Sequence, residues 1–402
     1  MNKIKKLVDY CLNCPVKPCK KGCPLRNDIP SFVKLAKEGN FLEAFSVLSE
    51  TTVLTSICGR ICPFERQCEG NCVRRLKGEP VQIGEIEAFI GDKAMKENYP
   101  LFSDMIENNG KKVAVVGAGP AGLSCAAFLR KLGYEVTIYE KHNYLGGLIT
   151  HGIPDFRLDR GVCDKTFKRI INLGIQVKFN LELGKDISLK QLRDEYNAVF
   201  LAFGANVSKI PSIKGKNLEN VYGANEFLES KRKIDLKGKN VIVVGGGDTA
   251  MDMARVAKRF GGDVLVVYRN KEKMMKALKN EVAIAKKEKI EFMFNSNVKQ
   301  IIADENNYKV YLITNDGYKF IYPVDYVFFA VGSRPLERLT KKLGIKIDMD
   351  GYIKTDKNQM TSLSGVFAGG DIIKEKNTVA FAAQSGKMAA YNIDLYLKKI
   401  DK

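Results

Sequence analysis

The chain has 402 residues, of which 45% are hydrophobic and 28% charged, with 35 glycines and no tryptophan. This is ordinary globular composition, long enough for two or three domains, and it excludes extensive disorder and collagen-like repeats. The formal charge of +19 raises nucleic-acid binding, but the lysines are spread through every segment. No block of like charges and no basic stripe interleaved with aromatics occurs. The reading is a lysine-rich surface without a nucleic-acid partner; a basic face that meets an acidic redox partner is a second reading. Residues 1–10 are basic with no apolar run behind them, so no signal peptide is expected. No stretch approaches the ~18 apolar residues of a membrane span. A soluble, cytoplasmic chain with no membrane contact is the expectation.

Of ten cysteines, eight lie between Cys11 and Cys72, leaving Cys125 and Cys163 outside. In a cytoplasmic chain such clustering points to metal or redox chemistry rather than to disulfides. The first run is Cys11, Cys14, Cys19 and Cys23 followed by Pro24; the second is Cys58, Cys62 followed by Pro63, then Cys68 and Cys72. Zinc is the competing occupant, since paired thiolates at short spacing build tetrahedral sites. Cys-Pro inside these runs is closer to ferredoxin-type ligation, where the last cysteine serves a neighbouring cluster. Between the runs, Ile29 to Gly39 reads as a short helix closed by glycine, and Phe41 to Leu48 as a second amphipathic helix. Residues 1–108 are therefore expected to form a small helical domain whose core is partly the clusters themselves.

Lys112 to Val116 is a continuous apolar strand running into the Gly117, Gly119, Gly122 turn. A helix from Leu123 to Leu132 follows, then the strand Glu135 to Tyr139, ending in the acid Glu140. Strand, glycine turn, helix, strand and terminal acid form a dinucleotide site. The glycines let backbone approach a pyrophosphate at the helix N-terminus, and the acid accepts ribose hydroxyls. The pattern recurs. Asn240 to Val244 leads into Gly245, Gly247 and Asp248, a helix to Phe260, and the strand Asp263 to Tyr268. This second unit ends in Arg269 rather than an acid, which favours a 2′-phosphate and so NADPH over NADH. Tyr196 to Gly204 and Tyr326 to Gly332 read as strand-to-glycine crossings between nested domains. Gly365 to Asp371 closes a flavin domain, with a helix after Thr378. The fold class expected is α/β: two nested Rossmann-like dinucleotide-binding domains preceded by an all-helical iron–sulfur domain. The flavin domain spans 109–226 and 332–402, and the nicotinamide domain 227–331 is inserted in it.

With these residues in place the chain resembles the small (beta) subunit family of bacterial glutamate synthase. That module is shared with the N-terminus of dihydropyrimidine dehydrogenase and the large subunit of the NADH-dependent ferredoxin:NADP transhydrogenase. The likeness is carried by Cys11 to Pro24, Cys58 to Pro63, Cys68 to Cys72, Gly78 to Val81, Ile83 to Glu87, Gly146 to Leu148, Gly152 to Leu158 and Gly245 to Asp252. The resemblance implies FAD, two [4Fe-4S] clusters and an exchangeable NADPH, with NADH open. It implies that FAD is held by Gly117, Gly119, Pro120, Ala121, Gly122, Glu140, Gly147, Leu148, Arg157, Leu183, Gly370, Asp371 and Thr378. It implies a nicotinamide coenzyme on Gly245, Gly247, Asp248, Thr249, Arg269 and Lys276. One cluster would take Cys11, Cys14, Cys19 and Cys72; the other would take Cys23, Cys62, Cys68 and Glu87, leaving Cys58 spare. Spacing alone would equally use all eight cysteines. The chain departs from NADPH-using relatives at Asn270, where they place a second arginine; Lys276 stands at another phosphate-facing position.

The expected function is an NADPH-oxidising flavoprotein subunit that passes single electrons to a catalytic partner, most simply the large subunit of glutamate synthase. Electron-transfer subunits of a pyrimidine-reducing dehydrogenase or a bifurcating transhydrogenase are alternatives, as is a non-catalytic redox sensor. No side chain is expected to act as acid or base, because the cofactors carry the chemistry. A disulfide reductase is discarded, since neither dinucleotide region holds a cysteine pair.

Overall fold

Two apolar runs, each ending at a glycine turn, seed two parallel sheets. The computed structural model describes residues 2–230, 232, 234–305 and 307–400. The backbone divides into two compact units, one of Met1–Thr150, Asp155–Gly204 and Pro335–Lys402, the other of His151–Pro154 and Ala205–Arg334.

The sheet of the first unit has the strand order Val366–Ala368, Ala198–Leu201, Lys112–Val116, Glu135–Tyr139, Gln176–Lys178, with every neighbouring pair parallel. Parallel sheets are covered on both faces, so their strands read as unbroken apolar runs; Val113, Val115, Val199 and Phe200 are all fully buried. The helix after the first glycine turn is Pro120–Lys131, starting three residues before the Leu123 expected from sequence. Proline suits that first turn, having no N–H to satisfy and a φ already helical. This helix lies against the C-terminal helix Val379–Ile400. Gly386 permits the contact, since a Cβ there would meet the Ala121 carbonyl oxygen at 2.0 Å.

The helical segment forms Ile29–Lys37, Phe41–Ser49, Thr55–Ile61 and Ile83–Lys96 around Phe32, Phe45, Leu48, Ile57 and Ile86. The expected glycine stop is present: Gly39 adopts φ +87° just beyond the first of these helices. The segment is built onto the flavin-type fold within the same unit. Lys131 Nζ lies 2.8 Å from Glu50 and 3.2 Å from Asp104. Arg169 stacks over the Phe45 ring at 4.2 Å and donates to the Tyr99 carbonyl.

The second unit carries the strand order Val221–Gly223, Tyr326–Phe329, Asn240–Val244, Asp263–Val267, Glu291–Met293, again all parallel. An antiparallel sheet of Ser296–Asp304, Asn307–Thr314 and Lys319–Val324, absent from the sequence reading, belongs to it. The expected cuts at 226/227 and 331/332 move to 204/205 and 334/335. The cause is Val221–Gly223, which pairs with Tyr326–Phe329 and so ties residues after 205 to the second sheet. A three-residue strand leaves too short a pattern to be seen in sequence. Among the described residues no helix is long and apolar enough to cross a membrane.

Candidate functional site

The first thiol group forms where the loop after Tyr10 meets the turn at residue 72. Cys11, Cys14, Cys19 and Cys72 line one cavity together with Leu12, Pro18, Val73 and Arg74. Asn13 and Lys17 adopt φ of 49° and 45°, which curls the loop so that its thiols share one side. Burial pushes the Cys19 thiol up to about 11, with the neighbouring Cys11 and Cys72 adding to it. Burial raises Cys11 in the same way.

The second group is fully enclosed. Cys23, Cys58, Cys62, Cys68 and Glu87 are all buried. Burial, then the charges of Glu87 and Cys58, push the Cys23 thiol up to about 12. Cys62 is raised by its hydrogen bond with Cys58 and by burial, and Cys68 by burial, Cys23 and Glu87. Burial pushes the Glu87 carboxyl up to about 8, against a single hydrogen bond donated by Asn27 Nδ2 at 3.4 Å. Asn27 is oriented by Thr51, whose hydroxyl donates to its Oδ1 at 2.6 Å; nothing in the local sequence marked either residue. Among the described residues no basic side chain pairs with Glu87. Four thiols and a carboxyl brought together without a cation are costly as anions and become good ligands once a metal supplies positive charge. Both groups fit thiolate-held clusters. Cys58 stands inside the second group, beside Cys62, rather than apart from it.

The flavin-type turn is shaped by backbone contacts. Gly117 takes φ +103°, and a Cβ there would meet the Ala202 carbonyl oxygen at 2.6 Å. A Cβ on Gly119 would meet no atom of the described residues within 4 Å, whereas one on Gly122 would lie 1.9 Å from the Gly117 carbonyl oxygen. The turn is thus tight behind and open in front, and the helix Pro120–Lys131 aims its N-terminus there. Glu140 is locked at the strand end, accepting from Ala118 N at 2.8 Å and from His142 N at 2.9 Å. Gly370 sits on the same turn, where its Cβ would approach Ala121 Cβ at 2.8 Å. Its N–H donates to Ser385 Oγ at 2.9 Å, and Gln359 Nε2 donates to the same oxygen at 2.9 Å. Sequence reasoning missed Ser385 and Gln359, which act only through this long-range fold. Asp371 accepts no hydrogen bond from the described residues, and burial, then Glu375, push its carboxyl up to about 6. Such an acid suits a ligand hydroxyl. Thr378 Oγ1 accepts from Phe381 N and caps the C-terminal helix. Gly147, at φ +52°, approaches Gly119, and Leu148 opens a short helix to His151. Arg157 is half-buried, while the Leu183 side chain lies in the core with Val116 and Tyr139. These features fit FAD.

The second turn repeats the design. Gly245 has φ +149°, and Gly247 again has no atom of the described residues within 4 Å of a Cβ. Asp248 Oδ1 accepts from Leu278 N at 3.1 Å, while Lys276 N and Ala277 N donate to the Gly246 carbonyl at 2.8 and 3.0 Å. The loop bearing Lys276 is therefore pinned to the glycine turn, with its side chain exposed. Arg269 is exposed just past the strand Asp263–Val267, and Thr249 is half-buried in the first turn of the helix Asp248–Arg259. These residues fit a dinucleotide coenzyme.

Two models of known families match. Residues 111–389 match the pyridine nucleotide-disulphide oxidoreductase family. Residues 2–99 match dihydropyrimidine dehydrogenase domain II, 4Fe-4S cluster. The small chain of NADPH glutamate synthase from Escherichia coli is 35% identical, with 98% of this chain and 91% of that one aligned. The NAD-dependent dihydropyrimidine dehydrogenase subunit PreT of Salmonella typhimurium is 32% identical over 97% of this chain and 93% of that one. FprA of Mycobacterium tuberculosis in complex with NADPH shares the dinucleotide fold, with a TM-score of 0.63 at 17% identity over 72% of this chain and 85% of that one. The fold and these sites define a class: an NAD(P)H-dependent FAD oxidoreductase with an N-terminal 4Fe-4S domain. Within it, the chain belongs to the glutamate synthase small-chain family. Within residues 111–389 the cysteines are Cys125 and Cys163, both buried and in no disulfide.

Proposed function

We propose that the chain is the electron-input subunit of a glutamate synthase, oxidising NADPH and supplying single electrons to a catalytic large chain. When bound, the nicotinamide, FAD and two [4Fe-4S] clusters supply hydride transfer and its division into single electrons. The chain's own residues bind and position. Gly117, Gly119 and Gly122 with the helix N-terminus hold the flavin pyrophosphate, Glu140 the ribose, and Asp371 a ribityl hydroxyl. Gly245, Gly247 and Asp248 do the same for the coenzyme, with Arg269 and Lys276 facing its 2′-phosphate. Cys11, Cys14, Cys19 and Cys72 hold one cluster; Cys23, Cys62, Cys68 and Glu87 hold the other. The observation that carries the reading is that both thiol groups are fixed to the flavin-type fold in one compact unit, through Lys131 with Glu50 and Asp104. The test is stepwise. NADPH alone should bleach the flavin anaerobically, and glutamate should form from glutamine and 2-oxoglutarate only when the large chain is added. Bleaching without glutamate in the reconstituted pair would reject this partner.

A second reading, an NADH-using pyrimidine-type dehydrogenase subunit, is favoured by Asn270 and by the likeness to PreT. The coenzyme separates the two. Arg269→Ala should raise the NADPH KM by ~10- to 100-fold and leave the NADH KM nearly unchanged, because a charge-assisted contact is worth about 1.5–3 kcal/mol. Equal effects on both coenzymes would remove Arg269 from phosphate recognition.

A further inference from the structure

We infer that Lys387 is a tuning cation: its ammonium serves the buried group of Cys23, Cys62, Cys68 and Glu87 and holds upward the reduction potential of the cluster bound there. Lys387 belongs to no cysteine run and no glycine turn, and its role rests on the cofactor reading above.

Three consecutive residues of the C-terminal helix Val379–Ile400 place the charge. Ser385 Oγ accepts from Gly370 N at 2.9 Å, and a Cβ on Gly386 would meet the Ala121 carbonyl oxygen at 2.0 Å. Both contacts pin the helix to the flavin-type turn. Lys387 comes next and is half-buried, with its Nζ 5.6 Å from the centre of the Phe128 ring on the helix Pro120–Lys131. Phe128 packs in turn against Phe102 and Tyr391, with ring centres 5.4 and 6.1 Å away. The ammonium thus stands against a packed aromatic cluster, one residue along from the flavin turn.

What this ammonium lacks is a counter-ion. Among the described residues it makes no hydrogen bond and no ion pair. Burial takes it below the ordinary lysine value; the charges of Glu50 and then Cys23 work the other way, and Lys131 adds to the lowering. Glu50 is already engaged by Lys131, 2.8 Å away. That leaves Cys23. Lysines ordinarily carry their charge to water on a flexible stem; this one is held over Phe128 instead. A half-buried cation without a partner is costly, and a neighbouring thiolate offsets that cost.

The consequence is electrostatic. Reduction of a cluster adds one electron and so one negative charge, which a nearby cation stabilises more than it stabilises the oxidised state. The buried group gathers a carboxyl, Glu87, with its thiols, and such anions pull a potential down. Lys387 is the compensating charge. It enters from the flavin-type fold rather than from the helical segment.

The experiment is an anaerobic dithionite titration of holoprotein, followed by electron paramagnetic resonance, on the wild type, Lys387→Gln, Lys387→Met and Lys387→Arg. Lys399→Gln, exposed on the same helix, controls for net charge. At a fixed ambient potential the reduced-to-oxidised ratio of one cluster should fall about tenfold in the two neutral variants, which is about 59 mV for one electron. The other cluster should move less, and Lys387→Arg should restore the wild-type value. Unchanged potentials in an iron-replete neutral variant overturn the inference. So does an equal shift in Lys399→Gln, or equal movement of both clusters, since either would be a general charge effect. Neutral variants that lose flavin and iron together also overturn it, because Lys387 would then be a packing residue. Iron lost from one cluster with flavin content unchanged counts for it. A wild-type holoprotein that takes up no cluster rejects the cofactor reading itself, and flavin bleaching by NADPH, run in parallel, reports separately on electron input.

Discussion

A Gly122→Ala chain is expected to purify without flavin. The added Cβ would lie 1.9 Å from the Gly117 carbonyl oxygen, an overlap with backbone that no side-chain rotation relieves. Gly117 cannot retreat. It already holds φ +103° with the Ala202 carbonyl 2.6 Å from where its own Cβ would stand. The loop must therefore swing outward, into the open side at Gly119, and carry the N–H groups at the start of the helix Pro120–Lys131 out of register. Anion binding at a helix N-terminus depends on those groups converging. The flavin content, read as the ratio of visible to ultraviolet absorbance, should fall at least ~10-fold, and NADPH bleaching with it. Gly119→Ala is the contrast: no atom of the described residues lies within 4 Å of its Cβ, so an effect there reports on the ligand alone. A Gly122→Ala chain with full flavin would show that this turn does not hold the cofactor.

The second large effect concerns delivery. Cys62→Ala should leave flavin bleaching by NADPH within about a factor of two and cut transfer to an acceptor protein by ~100-fold or more, if Cys62 holds the buried cluster as proposed. Removing residues 1–108 altogether would be a poorer experiment. That cut would strip Glu50 and Asp104 from Lys131, whose side chain is only 10% exposed, and Phe45 and Tyr99 from Arg169. It would injure the flavin fold as well as the electron path. The ligand assignment is tested in the same series. Cys58→Ala should retain about eight irons per chain, and Glu87→Ala should perturb the spectrum of one cluster. Iron lost on Cys58→Ala would exchange their roles. Cys62→Ala chains that still drive the acceptor at full rate would mean that the cluster is structural.

Much of this was legible because the signals are local. Lys112–Val116, Glu135–Tyr139 and Asn240–Val244 fell where the apolar runs placed them, since a buried parallel strand needs an unbroken apolar stretch and the turn after it needs glycine. The helix starting at Pro120 began earlier than read because the turn and the helix overlap there. The antiparallel strands from Ser296 to Val324 were missed; their exposed Phe320 and Ile321 blur the alternation that would have marked them.

The sequence by itself determined the two glycine turns, their strands, the two cysteine runs and the kind of chemistry they serve, because each is set within a few consecutive residues. Tertiary structure alone decided which of those pieces meet. It brought Glu87 to Asn27, placed Cys58 near Cys23 in the buried group, and seated Gly370 and Gly386 on Ala121. It also moved the crossing between units to 204/205 through a three-residue strand. These pairings join residues tens to hundreds of positions apart. Packing and hydrogen-bond satisfaction choose among such partners over the whole chain, and no local pattern records the choice.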